Sequence, residues 1–164
     1  TNPDVIQKWH AIKKVSLQDM KKNFHSLKIT FDEWLGESDA FPMVKKILTN
    51  NIFKNVAGAV LYEKTPLCRS DGTYLYLATD VGTLCQRFEK KFEEVIYVVD
   101  ARQQGHFQLV FEICRKLKML PKTVLHVPFG TINGPDGKPY KSRSGTKSFL
   151  SNILEEAGST LPVM

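Results

Sequence analysis

Tyr76 and Asp80 stand four residues apart in "TYLYLATD", where a β-rich run gives way to a helical pattern. A carboxylate with a phenol beside it can receive a cation. A guanidinium suits it best, because its planar fork matches a carboxylate's two oxygens. The plain structural reading makes Asp80 a helix N-cap and Tyr76 a half-buried strand aromatic. A second group, "DARQQGH" (100–106), follows the apolar run "VIYVV" and opens a helical pattern. Backbone N–H groups at such a start can hold an anion or a nucleotide. Gln103 offers donors and an acceptor, and His106 offers a ring and a hydrogen bond. Asp100 and Gln104 read as capping and loop polarity. A third group is "GPDGKPYKSRSGTK" (134–147), with Lys138, Lys141, Arg143 and Lys147 against Asp136 alone. Solvated basic loops are common, but its glycines let it close over a ligand, bringing Lys141 and Arg143 to developing phosphate charge.

Other chemistries find no support. The chain has no G-x-G-x-x-G, no P-loop pattern, no H-E-x-x-H and no Ser–His–Asp order. Glu37 and Ser38 in "GES" read as capping residues rather than a catalytic pair. Cys68, Cys85 and Cys114 are odd in number and widely spaced, so neither a disulfide framework nor a zinc site is expected. A reducing, cytoplasmic setting fits them, and Cys114 falls on an apolar helix face. With 42% hydrophobic and 24% charged residues, the 164-residue chain reads as a globular domain with a core. No apolar run reaches membrane-spanning length. A net charge of +6 permits a polyanionic partner without requiring one.

The elements that must position these groups are legible by period. Residues 3–23 read as a helix with Asn2 as cap and Pro3 in its first turn. "LKITF" (27–31) reads as a strand, and Ser38 or Asp39 can cap a helix over 40–50 that tolerates Pro42 in its first turn. "AVLYE" (59–63) and "TYLYL" (73–77) read as a hairpin, followed by a helix over 80–91. "VIYVV" (95–99) has the β-branched continuity of a strand buried on both faces. Phe107, Val110, Phe111, Cys114 and Leu117 then describe an amphipathic helix, and "TVLHV" (123–127) another strand. A last helix, over 148–158, is expected on Phe149, Leu150, Ile153 and Leu154. This order implies a parallel βαβ unit, whose ligands gather beyond the carboxyl ends of the strands. Asp80, residues 100–106 and the 129–147 loop would converge there.

Five collinear segments, "KITFDEWLGES", "RSDGTYLYLATDVG", "IYVVDARQQGHF", "HVPFG" and "DGKPYKSRSGT", resemble the arginyl-tRNA synthetases over roughly residues 5–157. The resemblance implies an α/β, Rossmann-type portion of a class I synthetase catalytic domain, with parallel strands, helices and a β-hairpin. Within one partial domain, residues 1–58 would form a helix-rich lead-in with one strand. Residues 59–128 would hold the hairpin and βα units, 129–147 a KMSKS-like loop and 148–158 a helix. It also implies L-arginine, ATP with Mg2+ and tRNA(Arg) as substrates and partners. By match to the family's motifs, Tyr76, Asp80 and Gln103 would bind arginine and His106 would lie near the adenosine. Lys141 and Arg143 would serve the phosphates, the second signature lysine being absent from "YKSRSG". No H-x-G-H is present, so the chain resembles the second half of the catalytic domain, inactive alone, with a sheet edge for the missing half or another chain to cover. A non-catalytic module that binds RNA or protein through its basic face is the alternative.

Overall fold

The computed structural model describes residues 2–130 and divides into two compact units, one holding residues 2–34 and the other residues 35–130. The first is built on helix α1 (Pro3–Ser26). Asn2 caps it, accepting from the Asp4 amide at 2.9 Å, and Pro3 occupies the first turn, where its missing N–H costs little. The strand expected over 27–31 does not form. Lys28 adopts a left-handed φ of 55°, and the Ile29 amide turns back to the Phe24 carbonyl at 3.0 Å. This wraps the chain into a helix C-cap, which satisfies the last carbonyls. Phe31 then meets Phe24 and Trp34 edge-on, at centroid distances of 4.8 and 5.0 Å. The β-propensity of "ITF" finds no partner strand among the described residues, so this local packing decides.

The second unit starts with a 3-10 turn (Glu37–Ala40) and α2 (Phe41–Ile47), with Pro42 in the first turn. Asp39 closes this start, its Oδ2 accepting from the Gly36 amide at 2.7 Å. A three-stranded antiparallel sheet follows, β1 (Lys54–Val56), β2 (Ala59–Tyr62) and β3 (Thr65–Cys68) in that order. The Ala57-Gly58 link has φ values of 48° and 85°, the mirror-turn geometry that suits a two-residue hairpin. Pro66 is tolerated because β2 is the only full strand that pairs with β3, and the bridge on the other side falls at Cys68, past Pro66.

The hairpin between 59–63 and 73–77 is therefore corrected: β2 pairs with β3. Beyond the "RSDG" turn, held by the Gly72 amide on the Arg69 carbonyl at 3.0 Å, residues 73–75 meet β3 through a single bridge, Tyr74 to Cys68, flanked by the Arg69 amide on the Thr73 carbonyl at 2.9 Å and the Leu75 amide on the Leu67 carbonyl at 2.8 Å. Leu75 is the extended N-cap of α3 (Tyr76–Glu89). Buried Leu77, Ala78, Val81, Leu84 and Cys85 lie at helical spacing and draw the helix back to Tyr76.

β4 (Glu94–Asp100), α4 (Gln104–Lys116) and β5 (Thr123–Phe129) make the expected βαβ unit, with β4 and β5 parallel from Glu94↔Thr123 to Asp100↔Phe129. α4 buries Phe107, Val110, Ile113 and Cys114. Leu84 and Ile113, each 0% exposed, anchor a core that also holds Val44, Leu67 and Tyr62. Burying such a side chain contributes about 1.5–3 kcal/mol. The Tyr62 hydroxyl donates to Glu112 Oε1 at 2.7 Å, tying the antiparallel sheet to α4.

Burial of "VIYVV" on both faces is also corrected. Tyr97 is 9% exposed whereas Ile96 and Val98 are 51% and 63% exposed. Tyr97 and its register partner His126 face Phe107 of α4. The opposite face, with Leu125 and Val127 beside Ile96 and Val98, is covered by nothing among the described residues. The 134–147 loop with Lys141 and Arg143, and the helix over 148–158, lie outside the described residues.

Candidate functional site

A single cleft of about 530 Å³ gathers Glu37, Tyr76, Asp80, Gln103 and His106 at the carboxyl end of β4. Its floor is Tyr97, Val99 and Phe107. The volume lies in the usual range for small-molecule sites. Glu37 arrives on the 3-10 turn before α2, Tyr76 and Asp80 on the first two turns of α3, and Gln103 and His106 at the start of α4. The expectation that Asp80 and residues 100–106 converge beyond the strand ends thus holds in the geometry. Tyr76 is not on a strand; it is the first residue of α3, 71% exposed, and rises one turn before Asp80. Asp80 is not an N-cap, since four helical residues precede it.

The tightest contact in the cleft joins His106 Nε2 to Asp80 Oδ2 at 2.6 Å. An ionised carboxylate only accepts, so the Nε2 edge of the imidazole carries the donated proton. His106 meets the neighbouring Phe107 ring edge-on, and Phe107 itself is 4% exposed and stacks on His126 at an interplanar angle of 16°. The ring that touches Asp80 is thus held by a core element.

Asp100 takes the structural role expected of it. Its carboxylate accepts from the Arg102 amide at 2.8 Å and from Arg102 Nε and Nη2 at 2.9 and 2.7 Å. Arg102 beside it holds the Asp100 carboxyl below the usual range. Gln103, immediately after, is the N-cap of α4 and lines the cleft. Among the described residues no Lys or Arg lines this cleft, whereas two carboxylates do. A site of that charge suits a cation. No group of three or more His, Cys, Asp or Glu among them could hold a metal ion. No helix among them is long and apolar enough to cross a membrane.

The family described as tRNA synthetases class I (R), catalytic domain, matches residues 1–161. The chain belongs to this arginyl-tRNA synthetase family. An arginine–tRNA ligase of Francisella tularensis subsp. novicida is 36% identical over 91% of the chain, which covers 28% of that protein. One of Agathobacter rectalis is 39% identical over 88% of the chain, covering 27% of the relative. The crystal structure of arginyl-tRNA synthetase from Plasmodium falciparum superposes with a TM-score of 0.69 and 30% identity, over 80% of this chain and 26% of that one. The chain therefore spans a little over a quarter of the length of the relatives it matches.

In this synthetase chain the sequence reading missed two cleft residues. Glu37 was read as a cap, but the Gly36 amide is taken by Asp39, and the Glu37 side chain lines the cleft. Tyr97 was read only as part of a buried strand. Its hydroxyl is buried without a hydrogen-bond partner, as is Nε2 of His126, its register partner. Burial pushes the Tyr97 phenol up to about 12, so it stays protonated at neutral pH. The Arg87 guanidinium lies over the Tyr97 ring, 5.0 Å from its centroid, near enough to the phenol to oppose the upward shift but outside hydrogen-bond geometry to its hydroxyl. An unsatisfied buried hydroxyl costs folding free energy. Tyr97→Phe should leave stability unchanged or raise it by up to about 1 kcal/mol in chemical denaturation, and a larger loss would reveal a partner for the hydroxyl.

Proposed function

We propose that the cleft binds the side chain of L-arginine for its ATP-dependent activation and transfer to tRNA(Arg). The observation that carries this reading is the pairing of Asp80 with Glu37 and Tyr76 in one cleft that no Lys or Arg enters among the described residues. Asp80 and Glu37 are the acceptors for the guanidinium. Tyr76 and Gln103 complete its hydrogen bonding at the rim, and Val99 and Phe107 give the methylene stem an apolar floor. The relatives' name, arginine–tRNA ligase, supports the same substrate.

Activation is an in-line attack by the arginine carboxylate on the α-phosphate of ATP, with pyrophosphate leaving. Such a step needs alignment and charge stabilisation but no covalent residue. Lys141 and Arg143 are the cations assigned to the phosphates, with Mg2+ entering as part of the ATP substrate. His106 is assigned to the adenosine by its place in the family motif. Aminoacylation itself is proposed for a full-length relative, of which this chain matches little more than a quarter.

Calorimetric titration with arginine, lysine and citrulline tests the site. Citrulline keeps the length and planarity of arginine but is neutral, and lysine keeps the charge but not the fork. Arginine should bind at least tenfold more tightly than either, and equal affinities would overturn the reading.

A further inference from the structure

We propose that His106 is a positioning residue that acts on the arginine subsite through Asp80, an inference that rests on the function proposed above. Asp80 is the fifth residue of a helix, with a side chain 35% exposed. The imidazole is its one hydrogen-bond partner among the described residues. An aspartate so placed has several accessible rotamers, and only some aim its carboxylate into the cleft. The bond at 2.6 Å from His106 selects the orientation in which Oδ2 is held. Oδ1 and the remaining lone pair of Oδ2 stay free for a ligand N–H.

The same geometry explains why a ring serves here. Nε2 is the far edge of the imidazole. To reach across from α4 to α3, the donor must stand at the end of a side chain of that length. The Phe107 ring, wedged against His126 and 4.6 Å from Tyr97 between centroids, fixes the backbone turn that carries His106. The charged and titratable groups around the pair are Glu37 across the cleft, Tyr76 on α3 and Tyr97 on β4. None of them is hydrogen-bonded to Asp80 among the described residues, so the imidazole alone restrains it there.

Three substitutions in the full chain separate this role from an adenosine contact and from simple packing. The amide nitrogen of glutamine falls near Nε2 of histidine, while that of asparagine falls near Nδ1 and stops short of Asp80. Arginine affinity should drop roughly ten- to thirtyfold in His106→Ala and in His106→Asn, the loss of one hydrogen bond to a charged group. In arginine affinity, His106→Gln should stay within about threefold of the wild type. If alanine prevents folding, the contrast between glutamine and asparagine still decides. Equal losses in glutamine and asparagine would reduce His106 to ring packing and overturn the proposal. A loss confined to ATP would place it on the adenosine and overturn it as well. A wild-type chain that binds no arginine overturns the proposed function and this inference with it.

Discussion

Replacing Asp80 by asparagine should weaken arginine binding about thirty- to one-hundred-and-fiftyfold, roughly 2–3 kcal/mol, while changing stability by less than about 1 kcal/mol. The two numbers differ because the carboxylate does different work in the free and bound states. In the free protein it meets one imidazole at a partly exposed position, where a charged hydrogen bond contributes little net stability. With arginine bound, it would be desolvated against a guanidinium, and the amide would offer a donor where the ligand has only donors. The estimate sits low in the range for buried charge pairs because the side chain is about a third exposed. Calorimetry for affinity and urea denaturation for stability measure the two effects independently. RNA affinity should be unchanged in the same variant. A parallel loss of RNA binding would count against the arginine reading and the module reading alike, because in the latter the basic face and not the cleft is functional.

The βαβ unit was legible because its signals agree at every level. "VIYVV" and "TVLHV" are β-rich, and the 107–117 pattern has one apolar stripe. What sequence reasoning lost were places where two periods overlap or where the partner is remote. "TYLYL" satisfies strand alternation, yet Leu77, Val81 and Leu84 satisfy a helix that begins at Tyr76. A short run cannot distinguish the two, and burial of Leu77 and Ala78 against the core settles it. "LKITF" has strand composition, but strands need partners, and a helix C-cap takes the segment instead. The continuous apolar run of β4 suggested two covered faces. Composition reports only what could be buried there; α4 covers the Tyr97 face alone among the described residues.

The grouping of four candidate residues was legible even where the elements that carry them were not. Asp80, Tyr76, Gln103 and His106 were singled out by residue type at element junctions, and all four line one cleft. The error lay in how they relate. Asp80 and His106 are 26 positions apart, and no spacing rule reports a hydrogen bond between two helices. Glu37 was hidden by its setting, because a Glu beside Gly-x-Ser-Asp reads as helix capping. Only the Asp39 bond to Gly36 shows that the cap is already filled.

Gly82→Ala should destabilise the chain by about 1–3 kcal/mol, even though alanine is the better helix former by about 1 kcal/mol. Gly82 lies inside α3, two residues after Asp80. A Cβ there would come within 2.6 Å of Val44 Cγ2 and 3.4 Å of the Ala40 carbonyl. Val44 is 0% exposed and β-branched, so its methyl has little room to turn away. Relief would require α3 to move from α2 and the preceding turn, the segment that carries Glu37. Glycine therefore sets the close approach of the two helices and, through it, the spacing of Glu37 and Asp80. Val44→Ala removes the clashing methyl. Gly82→Ala should accordingly cost less in the Val44→Ala background than alone, a coupling a double-mutant cycle in urea would measure. Arginine affinity should fall in Gly82→Ala and recover in the double variant, because the carboxylates regain their spacing. Additive stabilities, or an affinity that ignores Gly82, would show that helix spacing does not set the site.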